Sequence, residues 1–427
     1  MYQRFLLCVI GLSLSAPTLF AENWPQWRGP KNDGHSSEKG LPSEWGPDKN
    51  VVWKAEMPGP GASTPCIWDD KIFLTAQAGK DLVLFCIGKD GQKKWTRKLG
   101  EGEAKFRGDE GNLASASCCT DGELVFAFAG NGKLVAYDFD GKLAWEIDTP
   151  TKYGAFQIQF GAHWTPTLHK GRLYVQLFHR GGQFLIALDA KSGKEIWKVD
   201  RTSDSPAGVE SPDVYSSPFI WENGAEFLLI AHGNDYCTAH KLTDGSEVWR
   251  VTELNPKATY NRHWRAVSSP LVTPDLIVVP SCKNGVTVGV NPKTAKGDIM
   301  PGNAAELWRM PKGKPGTPDV SSPILVDSTV YLMGEEGYLT AVDAKTGKII
   351  FSSDRLTQER HRANPVYADG KLYLVGREGT MPVVKPGAEL EVLSKNKLPD
   401  TFTASPAISD GRIYLRGWNF LWAIGTK

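Results

Sequence analysis

Basic and aromatic side chains recur in segments between predicted strands, where they could bind a ligand. Aromatic faces beside Arg and His can hold a planar or carboxylate-bearing ligand, a sugar ring or an acidic peptide segment. The candidate ligand-binding residues are Arg107, His163, Trp164, Arg262, His263, Trp264, Arg265, Arg360, His361 and Arg362, with Tyr153 and Gln157 in the same segments. The alternative is that Trp164 and Trp264 plug the centre of the fold while the charged groups stay in solvent.

The same residue types do not predict catalysis or a metal site. His163, His263 and His361 lie about a hundred residues apart, and this spacing does not bring them together in the manner of a zinc motif. No C-x-x-C spacing occurs, which excludes the C-x-x-C-H segment of covalent haem and the common zinc ribbons. No Ser-His-Asp arrangement with a nucleophile elbow is present either. We therefore predict no catalytic residue and no metal.

The overall composition limits the fold classes and the kinds of partner that can be expected. The chain has 427 residues, with 49 Lys and Arg against 48 Asp and Glu. Its near-neutral charge gives no bulk field that would attract nucleic acid, so we expect no nucleic-acid partner. The 44 Gly and 28 Pro are spread along the chain and would break long helices. A many-stranded β protein is the better expectation.

The first residues are typical of an export signal. Arg4 is the only charge before Glu22, and the apolar run from Phe5 to Leu12 is too short for a membrane span. We predict a signal peptide over 1–21, no transmembrane segment, and a periplasmic or secreted protein. A soluble protein is favoured over a lipoprotein, because no small residue directly precedes Cys8. The six remaining cysteines allow 15 pairings, and a large core needs none of them.

One short pattern returns eight times from Ser63 onward, in steps of 41 to 53 residues. It places a small or polar residue before Pro, at Pro65, Pro166, Pro218, Pro270, Pro323, Pro365 and Pro406, with Ser117-Cys118 in the one copy without Pro. Each copy continues with alternating apolar runs separated by Gly-containing turns, and complete copies end in Trp. This order predicts four antiparallel strands per copy, which is a β-propeller blade.

The two ends of the chain complement each other. The last copy starts at Pro406 and stops before a fourth strand, whereas Asn50 to Glu56 looks like a fourth strand without a blade. We therefore predict an all-β, eight-bladed propeller over 50–427 after an N-terminal extension over 22–49. Its N-terminal strand should complete the last blade and remove an exposed edge.

This topology places the candidate residues on one face. The connection from the fourth strand of a blade to the first strand of the next lies on the same side as the turns between second and third strands. Long connections of this kind run from Glu101 to Leu113, Thr149 to Ala162, Arg201 to Tyr215 and Leu254 to Val267. We call this side the loop-rich face.

The repeat resembles that of pyrroloquinoline-quinone-type propellers. The resemblance rests on the pattern from Ala187 to Trp197 and its near copy from Ala341 to Phe351, and the stretch Trp24 to Pro30 is similar to the start of many exported members. The superfamily includes quinoprotein alcohol dehydrogenases and the non-enzymatic scaffold lipoprotein of outer-membrane β-barrel assembly. In these proteins the Trp of an outer strand packs on a turn glycine of the neighbouring blade. The positions that match are Trp53, Trp95, Trp145, Trp197, Trp249 and Trp308, with Phe351 as a substitute.

The resemblance leaves two functions open. Cys118-Cys119 resembles the vicinal disulfide above the cofactor in some quinoprotein alcohol dehydrogenases, although simple core filling also explains the pair. We expect a monomeric binding or scaffold propeller that has no cofactor and recognises a protein or polysaccharide on the loop-rich face. The alternative is an alcohol or sugar dehydrogenase that uses pyrroloquinoline quinone and a divalent cation such as calcium.

Overall fold

The fold is a closed ring of radial β-sheets. The computed structural model describes residues 22–103, 112–201, 203–206, 209–233, 235–282, 284–313 and 318–426, so the predicted signal peptide lies outside it. Within the described residues, eight antiparallel sheets are arranged as blades, and the predicted eight-bladed propeller is confirmed. The described helical residues are one turn at Thr149–Tyr153 and a 3-10 turn at Lys257–Thr259, neither of which could cross a membrane.

Each blade is an up-and-down meander whose inner strands are more buried than its outer strand. Blade 1 comprises Cys66–Trp68, Lys71–Ala78, Asp81–Gly88 and Lys93–Glu101. Blade 2 comprises Cys119–Thr120, Leu124–Phe128, Lys133–Asp138 and Leu143–Asp148. Blade 3 comprises Thr167–His169, Arg172–His179, Gly182–Asp189 and Glu195–Asp200. Blade 4 comprises Phe219–Asn223, Glu226–His232, Cys237–Lys241 and Glu247–Val251.

The second half of the ring repeats this arrangement. Blade 5 comprises Leu271–Val272, Ile277–Pro280, Thr287–Val290 and Glu306–Met310. Blade 6 comprises Ile324–Val326, Thr329–Met333, Leu339–Asp343 and Ile349–Ser352. Blade 7 comprises Val366–Ala368, Lys371–Tyr373, Thr380–Lys385 and Glu391–Lys397. Blade 8 comprises Ala407–Ser409, Arg412–Arg416, Phe420–Ile424 and the N-terminal strand Val51–Glu56.

The N-terminal strand closes the ring as the chain ends predicted. Val51–Glu56 pairs antiparallel with Phe420–Ile424, placing Lys54 opposite Trp422 and Ala55 opposite Leu421. The outer edge of the last blade is therefore covered by a strand from the other end of the propeller.

Aromatic residues of the outer strands join neighbouring blades. Five indole N–H groups donate to a carbonyl oxygen of the next blade at 2.8 to 3.0 Å, those of Trp53, Trp95, Trp145, Trp197 and Trp308. The same rings lie against the turn glycines Gly91, Gly141, Gly193, Gly245 and Gly347, where a Cβ atom would stand 2.7 to 3.0 Å from the indole. These five residues thus occupy the blade-docking position implied by the family resemblance. Phe351 packs beside the ring of Tyr331.

Blade 4 departs from this pattern. Its Trp249 is buried, and an extra strand, Gly297–Ile299, pairs in parallel with the outer strand of that blade and lies opposite Trp249. The extra strand belongs to the long insertion before the fourth strand of blade 5. Ala295 and Ile299 of this insertion belong to the same buried apolar cluster as Trp249, where five other outer-strand tryptophans pack on a turn glycine.

A belt of hydrogen bonds surrounds the axis at the start of the first strands. The residue before the proline position in one blade donates its main-chain N–H to the side-chain oxygen of the equivalent residue in the next blade, at 2.6 to 3.1 Å. The belt residues are Thr64, Ser117, Thr165, Ser217, Ser269, Ser322, Asn364 and Ser405. Seven links are present in the described part of the chain, where the Thr64 hydroxyl is buried without a partner. The belt explains why the repeat requires a small polar residue at this position.

The six described cysteines are all buried and free. Cys118 packs in the apolar cluster shared by blades 1 and 2, whereas Cys119 packs in the cluster of blades 2 and 3. Burial raises the pKa of the Cys118 thiol to about 12. The adjacent pair therefore fills two cores and forms no disulfide bond.

A candidate binding site at the axis of the propeller

The axis of the propeller holds a cavity of about 470 Å³, within the range of roughly 300–1,000 Å³ typical of small-molecule sites. Segments leading into the first strands of several blades contribute to its wall. The aromatic and charged lining residues are Trp27, Phe160, His163, Tyr215, Arg265, Asp319, Glu335, Arg360, Arg362 and Trp418. Arg360 is exposed and comes from a connection on the loop-rich face, so the cavity opens on that side.

The N-terminal extension forms the floor of this cavity. Trp24 pairs with Ile67 of blade 1, and farther along the extension His35 bridges to Tyr367 of blade 7. The segment also contacts the turns between first and second strands, since the Gly411 N–H donates to Glu38. These turns lie opposite the loop-rich face, so the extension crosses the axis on the far side. Trp27 points into the cavity from below and lies 6.1 Å from the Phe219 ring.

Arg28 fixes the extension beneath the ring. Its guanidinium is buried and donates at 2.7 Å to the carbonyl oxygen of Pro323 in blade 6. Burial lowers the pKa of Arg28 to about 10, although Asp33 opposes this shift. The group stays charged at neutral pH and holds the floor by a charge-assisted hydrogen bond.

His163, Phe160, Tyr215 and Arg265 form one wall. The guanidinium of Arg265 lies 4.6 Å from the centre of the Phe160 ring, and the rings of His163 and Tyr215 are 5.3 Å apart. Burial lowers the pKa of His163 to about 4, so its imidazole is neutral at physiological pH.

A buried ion pair supports this wall from behind. Asp213 has a fully buried side chain and accepts two hydrogen bonds from Arg180, at 2.9 and 3.0 Å. It also accepts from the main-chain N–H of Gln159, next to Phe160. The bidentate pair thus anchors the loop that carries the aromatic wall.

Arg360 and Arg362 reach the cavity from the connection that leads into blade 7. Arg362 donates to Glu335 at 3.3 Å, and both side chains are largely buried. Among the described residues, neither Arg360 nor Arg265 forms an ion pair. Two guanidinium groups at the cavity are therefore available to an anionic ligand.

Two buried polar atoms of lining residues have no hydrogen-bond partner among the described residues. They are Oγ1 of Thr403 and Nε1 of Trp418. Buried polar groups are normally hydrogen-bonded in folded proteins. The cavity wall therefore offers both hydrogen-bond donors and acceptors to a bound molecule.

The structure brings four of the ten predicted ligand-binding residues to the cavity, namely His163, Arg265, Arg360 and Arg362. Trp164 and His361 are buried in the protein, where Trp164 donates to the carbonyl of Val214 and His361 bonds to Thr357. Trp164 fills apolar space between blades 2 and 3.

The other predicted residues do not line the cavity. Arg262 and His263 are exposed, and Trp264 is half-buried beneath the ammonium of Lys312. Arg107 lies outside the described residues. Tyr153 donates to Glu195 of blade 3, away from the axis.

Sequence reasoning missed the floor and part of the wall. Trp27 sits in a stretch rich in Trp and Pro that carried no repeat, and Trp418 lies in a short turn of the last blade. The signal for Trp418 was available, because turns between second and third strands belong to the loop-rich face. Nothing in the local pattern of residues 22–49 predicted a path across the axis.

Comparison with known proteins gives two kinds of relative. A family model described as outer membrane protein assembly factor BamB matches residues 38–159, 109–218, 157–298 and 295–387. The polyvinylalcohol dehydrogenase of Pseudomonas sp is 24% identical over 271 residues, covering 57% of this chain and 40% of that protein. The assembly factor BamB of Yersinia pestis is 25% identical over 210 residues, covering 48% of this chain and 47% of that protein.

Solved structures share the architecture. The quinohemoprotein alcohol dehydrogenase from Comamonas testosteroni superposes with a TM-score of 0.69 at 14% identity, covering 95% of this chain and 81% of that one. At this identity the likeness establishes the fold alone. The chain spans less than half the length of the two curated relatives named above.

Proposed function

Because the chain belongs to the family described as outer membrane protein assembly factor BamB, we propose that it is a binding propeller without catalysis of its own. It recognises a protein or a polysaccharide through its loop-rich face. The family contains proteins named as assembly factors, and a binding role agrees with that membership. We also propose that the protein is a monomer and that it is located in the periplasm or outside the cell after removal of residues 1–21.

One observation carries the proposal. The axial cavity is closed by the N-terminal extension on one side, opens on the loop-rich face, and presents Arg265 and Arg360 without a carboxylate partner among the described residues. Because its floor is closed, the cavity is open at one end and is not a channel through the ring. Ligands therefore enter from the loop-rich face, where the long connections also offer surface to a larger partner.

The alternative function is a dehydrogenase that uses pyrroloquinoline quinone, and the relative named polyvinylalcohol dehydrogenase favours it. The described residues include no group of three or more His, Cys, Asp and Glu that could hold a metal ion. Of the two carboxylates lining the cavity, Glu335 is already bonded to Arg362. Cys118 and Cys119 are enclosed in blade cores. These observations favour the binding proposal over the quinone alternative.

A binding screen tests the proposed function. The purified protein is applied to a glycan array and to a peptide array, together with the double variant Arg265→Gln/Arg360→Gln and the control Arg262→Gln. Arg262 lies on the same connection but does not line the cavity. We expect specific binding that the double variant loses and the control keeps. Equal binding by all three proteins would contradict the choice of site.

A second experiment tests catalysis directly. The protein is incubated with pyrroloquinoline quinone and calcium chloride, desalted, and assayed for dye reduction with ethanol, glucose and polyvinyl alcohol. We expect neither retained quinone nor dye reduction. Turnover with any of these substrates would overturn the non-catalytic assignment in favour of the dehydrogenase.

A further inference from the structure

The cavity has hydrogen-bonding requirements that the protein itself leaves unmet. Oγ1 of Thr403 and Nε1 of Trp418 are buried in residues of the wall and lack partners among the described residues. The indole N–H is a donor, and the hydroxyl is both donor and acceptor. A ligand bearing several hydroxyl groups can serve both atoms, because each hydroxyl both donates and accepts.

The charges of the wall select for a single negative charge. The described lining residues include three arginines, Arg265, Arg360 and Arg362, against the carboxylates of Asp319 and Glu335. Because Arg362 is bonded to Glu335, the guanidinium groups without an ion pair among the described residues are those of Arg265 and Arg360. Arginine binds a carboxylate through parallel hydrogen bonds. One carboxylate would balance the excess of one positive charge.

Aromatic rings surround the same space. Trp27 forms the floor, while Phe160, Tyr215 and Trp418 lie in the walls. The ring of Phe160 is covered by Arg265 at 4.6 Å, and that of Trp418 lies 5.4 Å from the guanidinium of Arg377. Flat aromatic surfaces beside polar groups suit a compact ring with one apolar face and polar edges.

We propose that the axial cavity binds a uronate, a sugar ring that carries one carboxylate, either free or as a residue of an acidic polysaccharide. This inference rests on the proposed function and narrows its ligand to one chemical class. Arg265 and Arg360 hold the carboxylate, Trp418 and Thr403 bond to the hydroxyls, and Trp27 packs against the ring from below. A planar tricarboxylate would bring three negative charges to a wall whose described lining residues carry an excess of one positive charge.

Calorimetric titration tests the inference with defined probes. D-glucuronate, D-galacturonate and a galacturonate trimer are titrated into the protein, with D-glucose and D-galactose as neutral analogues that lack the carboxylate. We expect saturable binding of at least one uronate probe, and binding of its neutral analogue weaker by about tenfold or more, the effect of losing a charge-assisted hydrogen bond. Tighter binding of the trimer would identify a polysaccharide as the source, and equal or tighter binding of a monomer would identify the free sugar.

Three variants locate the binding. Arg265→Gln should weaken uronate binding by about tenfold. Trp418→Phe should weaken it several-fold, because it keeps the ring and removes the donor. Arg262→Gln should leave the affinity within about twofold, since that side chain does not line the cavity. Circular dichroism confirms that each variant is folded.

The outcomes separate this inference from the proposed function. Equal affinity for glucuronate and glucose, or unchanged affinity in Arg265→Gln, would overturn the uronate assignment. Binding of peptides or neutral glycans in the array screen, with no heat from any uronate probe, would overturn it while the proposed function stands. If neither arrays nor titrations detect a ligand, both fail.

Discussion

Four histidine side chains, His179, His232, His240 and His361, are at most 2% exposed. Burial lowers the pKa of His232 to about 3 and that of the other three to about 4. Between pH 6.5 and about 4 the unfolded chain therefore binds more protons than the folded protein, so the free energy of unfolding falls as the pH is lowered through this range.

The measurement is the urea midpoint at a series of pH values, followed by tryptophan fluorescence. We expect the loss of stability to begin near pH 6.5, above the range in which most carboxylates take up protons. A midpoint that stays constant from pH 6.5 to 5 would contradict the prediction.

The belt around the axis offers a matched pair of substitutions. The Thr165 hydroxyl accepts the buried N–H of Ser117 at 3.1 Å, whereas the Thr64 hydroxyl is buried and has no partner among the residues that the structure describes. Thr165→Val leaves an N–H without its partner and should lower the free energy of unfolding by about 1–3 kcal/mol, whereas Thr64→Val should be near neutral or stabilising. Urea denaturation of both variants measures the difference. Equal losses would mean that the belt hydrogen bonds contribute no net stability.

The alternation of side chains decides which predicted residues reach the cavity. In Arg360-His361-Arg362 the two arginines line the cavity and the histidine between them is buried. In His163-Trp164 the histidine faces the cavity and the tryptophan faces the core. Extended backbone sends successive side chains to opposite sides. The sequence predicted the right segments, but which residue of each segment faces inward depends on a register that only the folded ring defines.

At the scale of strands and turns, neighbouring blades are joined repeatedly by the contact between an outer-strand tryptophan and a turn glycine of the next blade. Gly193 has φ +69° and a Cβ there would stand 2.7 Å from the Trp145 ring, whereas Gly370 has φ +72° and open space around it. Any L-residue is strained at both positions. Gly193→Ala should therefore cost about 1–3 kcal/mol more than Gly370→Ala, because only the former displaces an indole.

Urea denaturation of the two variants, with near-ultraviolet circular dichroism as a probe of tryptophan packing, measures this difference. The dichroic spectrum of Gly193→Ala should change, while that of Gly370→Ala should match the parent protein. Equal stability losses would show that the glycine serves only its backbone conformation.

The blades were predictable because each is a local pattern of strands and turns that occurs eight times. The N-terminal extension was not, since its path depends on contacts with residues far away in the chain. Arg28 bonds to Pro323, 295 positions later, and Leu41 bonds to Asp369. No periodicity in residues 22–49 encodes these partners. The floor of the cavity is therefore defined by tertiary contacts that the sequence pattern does not reveal.

For the ring as a whole, blades 8 and 1 meet in an unusual way. In the other blades the third strand continues along the chain into the outer strand, whereas the three inner strands of blade 8 are held to their outer strand, Val51–Glu56, by hydrogen bonds and packing without a direct chain connection. The belt also lacks its link between blades 8 and 1, because the Thr64 hydroxyl has no partner among the described residues. Hydrogen exchange should therefore be faster for amides of Val51–Glu56 than for the equivalent outer strand Lys93–Glu101 of blade 1. Uniform protection of both strands would contradict this.

The ring is expected to open first where Val51–Glu56 pairs with Phe420–Ile424, because no direct chain connection joins these two strands. If the ring opens transiently at this pairing, the extension that leads into Val51–Glu56 and forms the floor of the cavity would move with that strand. A molecule in the cavity would contact both Trp27 of the extension and Trp418 of the last blade, so its binding should slow this opening of the ring.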